Sequence, residues 1–178
     1  ESRIANYLGG NKDKFPHKGA FDSYIYLSKR DFNEPLPTHA DQYSSNMAYS
    51  INAYSKGEVF MEQLGYIIGA GVRDQVLLTY FNKWRYKHPN PTDFIRVAED
   101  VSGLQLDWYR SFFVNTSKTI DYGIDSLWEE KGKMKIRLKN NGTMPMPLDI
   151  DLHFKDGSRE QAYIPQYLMF GEKKNEEP

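Results

Sequence analysis

The chain has no cysteine in its 178 residues. Disulfides and thiolate nucleophiles are thereby excluded, but the compartment stays open, because a secreted chain can also lack disulfides. No apolar run approaches the roughly 20 residues that cross a bilayer as a helix, so no membrane span is expected. An excess of one charge sign is missing as well. Twenty-three Lys and Arg stand against 24 Asp and Glu, for a formal charge of −1. With no basic run to concentrate charge locally, nucleic acid is not expected as a partner. Histidine is scarce: His17, His39, His88 and His153 are the four present, and no two stand at the i,i+4 spacing of an H-E-x-x-H zinc helix. Neither a G-x-S-x-G elbow nor a Walker-type phosphate loop occurs.

What is present suffices for a folded core. A hydrophobic content of 39% and an aromatic content of 15% suit one or two small domains. The chain opens on Glu1-Ser2-Arg3-Ile4, already in helix-like sequence and without a signal pattern, and is expected to be a piece of a longer protein. Ile4 and Leu8 at i,i+4, followed by Gly9-Gly10, read as a helix closed by glycine. From Asn11 to about Asp41, Lys, Gly, Pro and Asp dominate. An irregular connection is expected there, interrupted by a short apolar stretch at Tyr24 to Leu27.

Helical periodicity governs Tyr49 to Thr116. Phe60, Leu64, Ile67 and Ile68 mark one helix closed by Gly69. A second is expected to start at Arg73 or Asp74, with Val76, Leu77, Tyr80, Phe81 and Trp84 on one stripe and a stop at His88-Pro89. Thr92 is the expected cap of a third, which turns Phe94, Val97, Ala98 and Val101 inward and ends at Gly103. Leu106, Tyr109 and Phe113 mark a fourth, and Trp84 and Trp108 are expected in the core.

Beyond Lys118 the period changes to two. Ile120, Tyr122 and Ile124 alternate with polar residues, as do Met134, Ile136 and Leu138, then Leu148, Ile150, Leu152 and Phe154. With turns at Asn141-Gly142 and Asp156-Gly157, an antiparallel meander of about four strands is expected, forming part of a β-sandwich. Pro145 and Pro147 suggest an edge or a bulge. The fold class is therefore α+β: a helical part over 1–116, a partial antiparallel β domain over 119–170 and a polar tail over 171–178. Two glycosylation-type tripeptides, at Asn115 and Asn141, are common by chance and carry no weight.

Several ordered motifs resemble one family. Tyr54-x-Lys56-Gly57 precedes an apolar helix ending Leu64-Gly65-Tyr66-Ile67-Ile68-Gly69; Tyr80-Phe81, Asp93-Phe94 and Glu99-Asp100-Val101-Ser102-Gly103-x-x-Leu106-Asp107-Trp108 follow. This order resembles the aminopeptidase N and leukotriene hydrolase superfamily of zinc metallopeptidases, the gluzincins. The resemblance covers residues 1–116 and implies the C-terminal helical portion of a thermolysin-like catalytic domain. The later strands resemble the all-β domain that follows it in many members. It further implies a zinc ion bound by residues upstream of this sequence, with none held here, and a peptide as substrate. Glu1 does not fit the family's third ligand, which sits in an Asn/Asp-Glu-Gly sequence that this chain lacks.

Tyr54 matches the family's catalytic tyrosine. A phenol, with an ordinary pKa of about 10, is a hydrogen-bond donor at neutral pH; aimed at a tetrahedral oxyanion, it favours the transition state over the substrate. The competing reading is a tyrosine that packs its ring at a helix start and wets its hydroxyl. Tyr49, His39 and Asp41 are lesser candidates for the substrate cleft, against plain readings as a core tyrosine and a solvated loop pair. Lys56 is expected to anchor the helix start, and Gly57 to allow close helix packing. The alternative function is a noncatalytic helical plus β-sandwich module that binds a partner or glycan through exposed aromatics. Whether an aminopeptidase or an epoxide-hydrolysing relative is meant, and which residues it prefers, does not follow from these motifs.

Overall fold

The computed structural model describes residues 2–10 and 12–166. The expectations at Glu1, at the end of the β region and for the tail over 171–178 lie outside the described residues. The fold is α+β: helices in the first part, two small antiparallel sheets in the second. The chain divides into two compact units between Ser117 and Lys118.

In the first unit, α1 (Ser2–Leu8) ends where Gly9 N–H donates to Ala5 O at 2.9 Å. The expected irregular connection contains a helix instead, α2 (Lys18–Ser28). Its anchors are Tyr24 and Leu27, one turn apart and both buried, with the Tyr24 ring 5.8 Å from that of Phe113. Packing on that face outweighs the weak local propensity of a Gly-containing segment. Lys29 to His39 then runs without helix or strand to a 3₁₀ turn at Ala40–Gln42.

The helical run after that turn is longer than its periodicity predicts. α3 (Asn46–Ser50) is capped by Ser45, whose Oγ accepts from Ala48 N at 3.1 Å. It passes through a π-turn, Ile51–Lys56, into α4 (Gly57–Ile68). Gly69, at φ +90°, breaks the axis with a backbone angle that only glycine adopts at little cost. α5 (Ala70–Trp84) starts directly after it, so one glycine suffices as hinge and the expected start at Arg73 or Asp74 is three or four residues late. On its stripe only Val76 is fully buried; Leu77 is 39% and Phe81 60% exposed. α6 (Pro91–Ser102) is capped by Asn90 rather than Thr92. Asn90 Oδ1 accepts from the N–H groups of Thr92 and Asp93, while Asp93 Oδ2 accepts from Asn90 N, a reciprocal capping box. α7 (Asp107–Tyr109) runs into a second π-turn, Arg110–Val114.

The core of this unit is aromatic. Phe60 stacks on Tyr109 at 5.0 Å and lies 5.7 Å from Phe113 and 6.0 Å from Phe94. The buried Tyr109 hydroxyl is satisfied by Phe60 O at 2.8 Å. Trp84 and Trp108 are only half-buried, at the ends of their stripes, so the expectation that both are core residues fails.

In the second unit, β1 (Tyr122–Glu130) pairs with β2 (Lys133–Asn140), and β3 (Leu148–His153) with β4 (Arg159–Ile164). These are two separate hairpins rather than a meander, because β2 and β3 do not pair. The first hairpin turns on Lys131-Gly132, both at positive φ, the backbone that a two-residue turn of this twist requires. Asn141-Gly142 does not join paired strands. It belongs to a folded connection in which Thr143 N and Met144 N both donate to Thr119 O at 3.0 Å. Pro145 and Pro147 lie in this connection, and the bulge falls instead between Ile124 and Ser126.

Candidate functional site

The π-turn at Ile51–Lys56 sorts its side chains sharply. Asn52 and Lys56, four residues apart, point inward and are 0% and 1% exposed, whereas Tyr54 between them points outward and is 63% exposed. A π-turn carries one residue more per turn than an α-helix, and such insertions occur often at functional sites. Asn52 Nδ2 returns to Ala48 O at 2.9 Å. Gly57 N–H closes the turn on Tyr54 O.

Among the described residues, the Lys56 ammonium has no carboxylate partner. Its Nζ donates to Glu34 O at 3.0 Å, to Thr116 O at 3.4 Å and to Asn33 Oδ1 at 3.5 Å, and lies 6.0 Å from the Phe113 ring centre. Burial pushes its pKa down to about 8, since removal from water penalises the charged form. Gly57 does not serve close helix packing as expected. A Cβ built there meets nothing within 4 Å, so the missing side chain leaves open space.

Tyr54 lines a cleft of about 370 Å³ together with Arg3, His17, Glu58, Glu62 and Arg73. Glu58 and Glu62 follow Tyr54 at successive intervals of four on the helical run, which puts all three along one side of it. His17 Nδ1 is 2.6 Å from Glu58 Oε1, and its Nε2 is 3.5 Å from Glu62 Oε1. Arg73 Nη1 donates to Glu62 Oε1 at 2.7 Å; its Nε and Nη2 donate to Asp74 Oδ1 at 3.1 and 3.0 Å. Arg3 reaches the same Asp74 oxygen at 3.2 Å. Burial alone would raise the Glu58 carboxyl, but hydrogen bonds from Ser2 and His17 hold it below the ordinary range. Asp74 is likewise held low against burial by Arg73 and Arg3. The result is a polar wall of paired charges beside an exposed phenol, able to orient a polar ligand while its own groups stay fixed.

The other sequence candidates lie elsewhere. Tyr49, on α3, is 37% exposed and sets its ring edge-on to Tyr43 at 5.6 Å. His39 caps the 3₁₀ turn by accepting from Asp41 N at 3.3 Å, and its ring lies 3.5 Å from the Asp41 carboxylate, both side chains being solvated. None of the three lines the Tyr54 cleft. His17, Glu58, Glu62 and Arg73 were not singled out from the sequence. The four-residue spacing of Tyr54, Glu58 and Glu62 was a usable signal for two of them, whereas His17 and Arg73 reach the cleft only through tertiary packing.

Among the described residues no group of three His, Asp or Glu side chains could hold a metal ion, so the residues present do not fit a zinc site. Among them, too, no helix is long and apolar enough to cross a membrane. Comparison with protein-family models, curated proteins and solved structures gives no match in any of the three.

Proposed function

We propose that this chain is part of a zinc-dependent aminopeptidase that hydrolyses N-terminal residues from peptides, in which Tyr54 donates its hydroxyl hydrogen to the tetrahedral oxyanion. Its helical unit would be the C-terminal part of a thermolysin-like catalytic domain, and its hairpins part of a β-sandwich-like domain. The observation that supports this reading best is the setting of the Tyr54-x-Lys56-Gly57 motif. The turn hides Asn52 and Lys56 and turns the one phenol out into a polar cleft. A tyrosine kept only for packing would bury its ring.

As the resemblance implies, the metal in this proposal would be held by residues upstream of this sequence; among the described residues no group of three His, Asp or Glu could hold it. What the chain's own residues do is narrower. Tyr54 supplies a hydroxyl donor at the position where negative charge develops, and the hydrogen-bonded side chains of His17, Glu58, Glu62 and Arg73 form a fixed polar wall beside it. A donor whose partner appears only in the transition state accelerates the chemical step rather than tightening binding.

The test is hydrolysis of aminoacyl anilides by the full-length protein and by the 178-residue chain alone. Chelator-sensitive hydrolysis by the full-length protein, and none by the chain, is expected. Zinc-dependent turnover by the isolated chain, or none by the full-length protein, overturns the proposal.

A further inference from the structure

We propose that Lys56 is the positioning residue of the Tyr54 site: its buried side chain ties the π-turn to the Asn33-Glu34 loop and to Thr116, and so fixes where the Tyr54 hydroxyl points. This rests on the reading of Tyr54 as the oxyanion donor.

The geometry carries it in three steps. First, Lys56 is 1% exposed and its three hydrogen-bond acceptors are neutral oxygens, from two stretches of chain remote in sequence. A buried ammonium without a counter-charge costs stability that an apolar side chain of the same length would not; as filler, the residue is a poor choice. What it supplies is direction, because a donor with oxygens on two sides holds one position. Second, those two stretches are themselves joined. Leu36 N donates to Val114 O at 3.0 Å and Asn33 Nδ2 to Ser117 O at 3.1 Å. Lys56 therefore fastens the π-turn to a platform already assembled, not to a free loop. Third, Tyr54 is two residues from Lys56 in the same turn, and its carbonyl accepts from Gly57 N, so any shift of the Lys56 end of the turn moves the Tyr54 backbone.

Misplacing a catalytic group by about 1 Å can cost about 100-fold in rate. The Lys56→Met substitution keeps length and apolar volume while removing the donors. In the full-length protein it should lower kcat by about 10- to 100-fold with KM and metal content little changed. The decisive readout is a double-mutant cycle. If Lys56 acts through Tyr54, Lys56→Met should change kcat less than about twofold once Tyr54→Phe is present. An equal loss in both backgrounds, or no loss in the wild-type background, overturns the positioning role while leaving Tyr54 in place. If Tyr54→Phe by itself leaves kcat unchanged, it is the functional reading that fails, and the inference with it.

Asn33→Ala removes one Lys56 acceptor together with the Asn33–Ser117 bond of the platform, and gives the same cycle should Lys56→Met fold poorly. Amide hydrogen exchange supplies a measurement independent of activity. Lys56→Met should speed exchange at residues 51–57 and leave α6 unchanged; unaltered protection at 51–57 overturns the proposal.

Discussion

The Lys56 ammonium sits 3.0 Å from the backbone carbonyl of Glu34, in the interior, with no carboxylate beside it among the described residues. Its pKa is pushed down to about 8 from the ordinary 10.5 by burial. Between those values the unfolded chain holds a proton that the folded chain has released. Stability therefore rises with pH across that window, and below it the full penalty of the buried charge is present. The predicted outcome is a urea midpoint that climbs from pH 7.5 to 9.5 in the wild type relative to Lys56→Met. Measuring the difference matters, because the buried phenol of Tyr24, raised to about 12, destabilises the fold as pH climbs above 10. Parallel curves for the two proteins would show that Lys56 is not buried as a charge.

At the cleft wall, His17 Nδ1 and Glu58 Oε1 approach to 2.6 Å, and His17 with Ser2 holds the Glu58 carboxyl low. Removing the imidazole with His17→Ala should raise the Glu58 pKa towards its ordinary value, as followed by carboxyl carbon NMR during titration. The sign for stability follows. A depressed carboxylate contributes stability above its unfolded pKa and loses it as acid brings the pH through the folded one. His17→Ala should thus flatten the acid limb. A Glu58 titration unmoved by the substitution would place its stabilisation elsewhere.

Two glycines should respond in opposite directions. A Cβ at Gly142 would lie 2.3 Å from Thr119 O and 2.7 Å from Asp121 N, both backbone atoms that cannot swing aside. Gly142→Ala is expected to cost at least about 1–3 kcal/mol. Gly57 has helical angles, φ −63° and ψ −40°, and open space where its Cβ would be. Gly57→Ala should therefore stabilise by about 0.5–1 kcal/mol through the lost freedom of the unfolded chain. Thermal melts of the two variants check both signs, and a destabilised Gly57→Ala would contradict the open space at its Cβ position.

The α4 and α6 helices were legible because Phe60, Leu64 and Ile68, and Phe94, Val97 and Ala98, repeat with helical spacing and bury accordingly, and α5 through the apolar spacing of Val76, Leu77, Tyr80 and Phe81, although only Val76 of these is fully buried. α2 was not, since only Tyr24 and Leu27 of its residues are buried and two anchors make no period. The Asn90 cap and the Lys131-Gly132 turn were missed where more than one polar residue could serve. Strand positions followed from alternation, but the pairing into two separate hairpins depends on how the 141–147 connection folds back on Thr119, which no local pattern encodes. At the site, Tyr54 stood out through its motif. Its neighbours His17 and Arg73, 37 residues before it and 19 after, meet it only because α2 and α5 pack beside α4.

The central claim is that Tyr54 works as a donor in the chemical step, and Tyr54→Phe in the full-length protein tests it most directly, since it removes one oxygen from an exposed ring and disturbs no packing. Loss of a single oxyanion donor typically lowers turnover by about 10²–10³. Steady-state hydrolysis of an aminoacyl anilide should show that fall in kcat, with metal content and thermal stability as in the wild type. A kcat equal to wild type within error would contradict the account and remove Tyr54 from the mechanism.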